Sequence, residues 1–249
     1  MPPEDAPAEG LYEERASASP HVECTWQAMS VREERYLVPA IEHWDIWFAR
    51  EPDDRVVAGL SGPALGSRWI ASVVGEHGWG VQLRAHVVVP GVPKRLLLGG
   101  EVRLPVEDGT VEISGHRVPV PTFEELEGFV GRLLRLDVLR SDDDVRRALA
   151  GDEVGYSERH WQRRVRESTG VTRKQISQLA RAREAYVLLQ QGISPAECAA
   201  TCGYADQAHL TRSLRLLHGE TPARILGNHR SALAERADDG GNLQSAEAP

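Results

Sequence analysis

The sequence predicts an α+β protein, with a mainly β domain in front and then an all-α domain with two helix-turn-helix units joined by a long helix. Three observations carry this reading. Apolar residues alternate with period two up to Pro121, they recur at helical spacing from Thr122 onward, and the helical half repeats itself. The pattern divides the chain into disordered tails at 1–21 and 231–249, a β domain at 22–121, a linking or dimerisation helix at 122–140 and a helix-turn-helix domain at 141–230.

In the front domain, Trp79, Val81, Leu83, Ala85, Val87 and Val89 share one face of an expected strand, with Gln82, Arg84 and His86 on the other. Trp44, Ile46 and Phe48 alternate in the same way. Glu101 to Val106 and Thr110 to Ser114 flank Asp108-Gly109, residue types suited to the positive-φ positions of a two-residue hairpin. Pro90, Gly91 and Pro93 interrupt the sheet, and Pro119 and Pro121 close it. Thr122 with Glu125 then fits a capping box, followed by Phe123, Leu126, Phe129, Val130, Leu133, Leu134 and Leu136 on one helical stripe. That stripe packs on its own sheet or forms a dimer seam. Ser141 is expected to cap a helix through Leu149, and Ser157 one to about Ser168. A long helix runs from Thr172 to Gln191, Ser194-Pro195 starts the next, and Ala205 or Asp206 opens one to about His218. A last short helix starts near Thr221-Pro222.

Composition sets bounds on function. The hydrophobic fraction of 41% and charged fraction of 27% are those of a folded globular protein. No apolar run approaches the roughly 18 residues that span a bilayer, and MPPEDAPAEG lacks the regions of a secretory signal, so a cytoplasmic protein without membrane contact is expected. Three cysteines make no disulfide framework, and Cys198 and Cys202 read as buried small hydrophobes. The net charge of −8 hides an asymmetry: residues 151–230 carry +4 and the remainder −12. Only the back of the chain is suited to approach phosphate, since a local positive face makes the electrostatic footprint.

The helical half matches itself at a shift of 49, pairing His160 with His209, Arg163 with Arg212, Arg166 with Arg215, Gly170 with Gly219 and Thr172 with Thr221. Gly155-Tyr156 matches Gly203-Tyr204 one residue out of step. Trp161 and Val165, or Leu210 and Leu214, stand at i and i+4 and bury one face. Arg159, Gln162, Arg163 and Arg166, or Gln207, Thr211, Arg212 and Arg215, occupy the rest. Arginine and glutamine are side chains that bond base edges bidentately in the major groove. The connecting helix, about 20 residues at ~1.5 Å each, would span ~30 Å, close to the ~34 Å between successive major grooves on one face of B-DNA. Lys174, Arg173, Arg224 and the helix N-termini suit phosphate contact.

From about Ser141 to Arg230 the sequence resembles the AraC/XylS family of bacterial transcription regulators. SERHWQRRVRESTGVTRKQISQLARAREAYVLL is similar to the family's first recognition helix and linking helix, and GYADQAHLTRSLRLLHGETPARI to its second recognition helix and signature end. By position, the resemblance places the DNA-facing residues on Arg159, Gln162 and Arg163 in the first unit and on Gln207, Ala208, Thr211 and Arg212 in the second. It implies double-stranded DNA and RNA polymerase as partners, transcription activation, and a front domain that senses a small-molecule effector, forms a homodimer, or both. Tyr204 and the leucines Leu210 and Leu214 replace the usual Phe, and Trp161 a Leu; all stay apolar. Ala208 replaces a usual Ser and removes a hydroxyl, and Gly151 stands where a helix-packing Ala is usual.

For the front domain the residues name no ligand. His43, His77, His86 and His116 lack a tight His-x-His pair and read as structural, with no metal or cofactor expected. Trp44, Trp47, Trp69 and Trp79 read as core before they read as a pocket lining. There is no nucleophile elbow, P-loop, GxGxxG or HExxH, so no enzyme is expected. Two alternatives stay open: a front domain that binds another protein, with the DNA domain as an address, and a DNA-repair methyl acceptor, for which Cys24 is the one cysteine outside the recognition half.

Overall fold

Strands occupy the front of the chain and helices the back, and the computed structural model describes residues 11–33, 35–92, 97–151 and 157–228. The first strands are β1 (Leu11–Ala16), β2 (Val22–Met29), β3 (Arg35–Val38), β4 (Trp44–Arg50) and β5 (Val56–Ser61). They are followed by β6 (Arg68–Ala71), β7 (His77–Leu83), β8 (Val87–Val88) and β9 (Glu101–Leu104). An antiparallel six-stranded sheet forms in the order β1-β2-β7-β4-β5-β9, and β3 pairs with β6 as a separate ribbon. A small meander of β10 (Val106–Glu107), β11 (Thr110–Ile113) and β12 (His116–Pro119) follows.

The register places Leu83 opposite Trp44, Val81 opposite Ile46 and Trp79 opposite Phe48, so alternation gives the sheet one continuous apolar face. Helix α1 (Leu126–Arg135) lies on that face and buries Leu126, Phe129, Val130 and Leu133 there. Phe48 stacks on Trp79 and meets Phe129 edge-on, both at 5.7 Å, and the Trp79 indole N–H donates to the Pro121 carbonyl at 2.9 Å. The apolar stripe of α1 is therefore spent on its own sheet. On the opposite face, the Trp47 ring lies flat on Gly59, where a Cβ would fall 2.4 Å from it.

Several expected boundaries move. The tail placed at 1–21 contains β1, whose Tyr12, Glu14 and Arg15 gave no apolar alternation because an edge strand buries little. The single strand from Trp79 to Val89 is two, since the chain turns at Ala85-His86 with Val87 N–H bonded to the Arg84 carbonyl. His86, expected on the solvent face, is buried there. Pro105 likewise separates β9 from the hairpin, whose turn holds Asp108 at φ 48° and Gly109 at φ 69° as expected. The capping box holds, with the Thr122 N–H and hydroxyl both donating to Glu125, but α1 ends at Arg135, short of residue 140. Ser141 does not cap: Arg140–Ser141 form β13 against β8, and Asp142 accepts from Val145 N–H in its place.

The remaining helices are α2 (Asp143–Ala150), α3 (Glu158–Thr169), α4 (Arg173–Gln190), α5 (Pro195–Thr201), α6 (Gln207–Leu217) and α7 (222–228). Gly151 closes α2 at φ 88°, a left-handed position that the usual Ala would strain, so the departure has a backbone reason. Cys198 and Cys202 are buried in the core beneath α5 and α6. Among the described residues no helix is long and apolar enough to cross a membrane. Phe48→Ala is expected to cost ~3–5 kcal/mol in urea unfolding, and Trp69→Ala, which truncates a ring 54% exposed, to stay within about 0.5 kcal/mol.

Candidate nucleic-acid interface

The repeat read in the sequence is a repeat in structure. Helices α2 and α3 form one unit, α5 and α6 the other, and α4 joins them. Trp161 and Val165 are buried in α3 as Leu210 and Leu214 are in α6. Gly170 ends α3 at φ 83° and Gly219 follows α6 at φ 73°. Thr172 accepts from Gln175 N–H at 3.2 Å and Thr221 from Arg224 N–H at 3.3 Å, so the same N-cap opens the helix after α3 and after α6. Gly155 and Tyr156 lie outside the described residues, so their half of the match is not placed.

Burying one stripe of each helix turns the charged remainder outward. Arg159, Gln162, Arg163 and Arg166 are all exposed on α3, as are Gln207, Ala208, Arg212 and Arg215 on α6. Thr211 is half-buried, and its hydroxyl donates back to the Gln207 carbonyl at 2.8 Å. Lys174 and Arg173 are exposed in the first turn of α4, and Arg224 in α7. Some of these side chains are held by neighbours: the Gln162 amide donates to Glu158 at 3.2 Å, Arg163 lies 3.8 Å from Glu167, and Arg173 lies 3.7 Å from Glu158. Exposed pairs of this kind contribute at most about 1 kcal/mol, so a phosphate can displace them.

The cap at the start of α6 is well built. Asp206 accepts from His209 N–H at 2.6 Å and so satisfies one of the orphan amides of the first turn. Arg181 on α4 donates to the Gly203 carbonyl at 3.1 Å and lies over the Tyr204 ring at 4.9 Å, tying the turn of the second unit to the linking helix. In the first unit, Arg164 reaches Asp142 and Asp144, each at 3.1 Å, and ties α3 to α2.

Sequence reasoning passed over the contact between the front domain and the helices. Ala40 packs with Leu179, Leu214 and Leu217, Ala85 with Val145, Val165 and Val171, and a cavity of about 480 Å³ lies between these two contacts. Glu42, His43, Arg84, His86, Arg146 and Arg183 line it. The only signal in the sequence was a pair of polar residues, Glu42 and His43, set immediately before the apolar strand at Trp44.

Other candidate groups are dispersed. His77 stacks on Trp79 at 5.3 Å, His116 is exposed on β12, and among the described residues no cluster of His, Cys, Asp or Glu could hold a metal. Trp44 and Trp79 are core, Trp47 lies on the other sheet face, and Arg35 covers the exposed Trp69 ring. Burial pushes the Cys24 thiol up to about 12, the reverse of the shift a reactive thiolate needs.

Residues 151–228 match the family model described as a helix-turn-helix domain. Solved structures of ToxT from Vibrio cholerae also align with the chain. One is 11% identical and covers 87% of this chain and 98% of that one, with a TM-score of 0.43. Another, from strain O395, is 12% identical and covers 87% and 97%, with a TM-score of 0.41. A third, bound to (E)-4-(8-methylnaphthalen-1-yl)but-3-enoic acid, is 11% identical and covers 88% and 99%, with a TM-score of 0.41. A search of the curated proteins gives no match. Removing the cap of α6 with Asp206→Ala is expected to cost about 1 kcal/mol, read as faster amide exchange across the first turn of α6 while the sheet amides stay unchanged.

Proposed function

We propose that the chain is an AraC-type, DNA-binding transcription regulator that reads one duplex at two successive major grooves, a reading that starts from the match of residues 151–228 to the helix-turn-helix family model. The observation that supports this most is the matched pair of exposed faces, Arg159, Gln162, Arg163 and Arg166 on α3 and Gln207, Ala208, Thr211, Arg212 and Arg215 on α6, at either side of one unbroken helix. Its 18 residues span about 27 Å at ~1.5 Å each, on the scale of the ~34 Å between grooves. In this reading Arg163 and Arg212 bond guanine edges, Gln162 and Gln207 adenine edges, and Lys174, Arg173 and Arg224 the phosphates.

The reading extends to an activator that contacts RNA polymerase in the cytoplasm, with a front domain that senses a small effector or brings two protomers together. The cavity at the joint supports effector sensing, because a molecule lodged there would touch both the sheet domain and α4. The sheet domain, read from the sequence as 22–121 and extended by β1 to residue 11, and the recognition domain at 141–230 then act as separate functional parts coupled through that joint.

Fluorescence anisotropy on duplexes selected from a random pool tests the assignment. Arg163→Ala and Arg212→Ala are each expected to cost ~1–3 kcal/mol on the selected site and to relax discrimination at one base position, with a salt slope near −0.9 per phosphate contacted. An equal loss on selected and random duplexes would remove both arginines from base readout.

A further inference from the structure

The centre of the joint is polar where most such contacts are apolar. The Ala40 N–H donates to the Leu217 carbonyl at 2.7 Å and the Ser67 N–H to the Leu216 carbonyl at 3.0 Å, so front-domain backbone satisfies two of the last carbonyls of α6. Beside them Glu42, with its side chain 6% exposed, accepts from Arg183 of α4 at 2.5 Å. A carboxylate so buried persists only while its partner stays in place.

Three histidines are buried in the same joint. His43 brings Nε2 within 3.3 Å of Arg183, and because a guanidinium can only donate, Nε2 accepts and the ring proton sits on Nδ1. That Nδ1 is buried without a hydrogen-bond partner among the described residues. Glu42, Glu23 and Arg84 complete the charges around His43. His218, at the end of α6, stacks on Tyr186 of α4 at 4.6 Å and faces Arg183; Tyr186 in turn donates to Glu220 at 3.5 Å. His86 faces His21, Arg146 and Arg84, bonds the Pro20 backbone, and leaves Nε2 buried without a partner among the described residues. The charged groups that lower His86 and His218 are basic: His21, Arg146 and Arg84 for the first and Arg183 for the second.

We propose that this joint is a proton-operated latch: Glu42, Arg183 and the neutral histidines, His86 against the first unit and His43 and His218 at the second, hold the helical half to the front domain near neutrality, and proton uptake by the histidines releases it. The release frees the carbonyl end of α6 and Arg183 of α4 from the front domain while α4 stays whole. Its consequence for DNA rests on the function proposed above; the latch itself does not, and its test contains no DNA.

Desolvation, with Arg183 second, lowers His218 to about 4; desolvation, then His21 and Arg146, lowers His86 to about 4; and His43 is lowered by burial despite Glu42. The latched state binds fewer protons than the released one. Its advantage is therefore whole above the ordinary histidine value near 6.5 and falls as pH drops from there toward about 4. Two groups with these values shift the opening equilibrium by up to about 100-fold between pH 7.5 and 5.5.

Amide hydrogen exchange on the full chain reads this directly, because the Ala40 and Ser67 amides are bonded only across the joint. From pH 7.5 to 5.5 their protection factors are expected to fall by up to about 100-fold while β4 amides hold theirs. Replacing His43, His86 and His218 together by Gln flattens the profile, and His218→Gln alone removes about tenfold of it, a milder change should the triple variant fold poorly. Glu42→Gln lowers Ala40 and Ser67 protection already at pH 7.5. Protection that is constant with pH, an unchanged profile in His218→Gln, or a parallel fall in β4 would overturn the latch.

Discussion

One unbroken helix governs the rest of the structure. Helix α4 presents Ile176 to the core under the first unit, Leu179, Ala182, Ala185 and Leu189 to the core under the second, and Arg183 to the front domain. Three bodies thus meet on a single rigid element, and its length sets how far apart α3 and α6 stand. Helix formation here owes little to a strong amphipathic pattern. Thr172 and Gln175 satisfy the first amides reciprocally, and packing on several sides does the rest.

The two units are built alike but held differently. The first is tied by side-chain charge, through Arg164 to Asp142 and Asp144, with Asp142 also capping α2 and bonding its backbone N–H to the His86 carbonyl. The second is tied by front-domain backbone at the carbonyl end of α6 and by the buried Glu42–Arg183 pair. Backbone bonds and buried charge depend on geometry more than surface ion pairs do. Front-domain backbone thus reaches both units, through β8 and the His86 carbonyl at the start of α2 and through Ala40 and Ser67 at the end of α6, and only the second adds a buried ion pair.

Much of this was legible in the sequence because its signals were local. Period-two alternation at Trp44, Ile46 and Phe48, the cap at Thr122 and the i, i+4 apolar pairs inside each copy of the repeat report on neighbours a few residues apart. Strand β1 was not legible, because an edge strand with charged residues on it has no apolar rhythm to detect. The break at Ala85-His86 is hidden by alternation that continues across it, and Ser141 and Asp142 are adjacent residues of types that both cap, so residue type alone does not choose between them. The joint was illegible for a different reason. Glu42 and Arg183 are 141 residues apart, and nothing local marks a glutamate that will be buried against an arginine from another part of the chain.

The account stands or falls on two recognition helices reading one face of one duplex. Hydroxyl-radical footprinting of the full chain on a duplex that it selects tests that claim directly. Two protected patches on the same face, separated by about 10–10.5 base pairs, are the predicted result. A single protected patch, with the second groove cleaved as in free DNA, would contradict it.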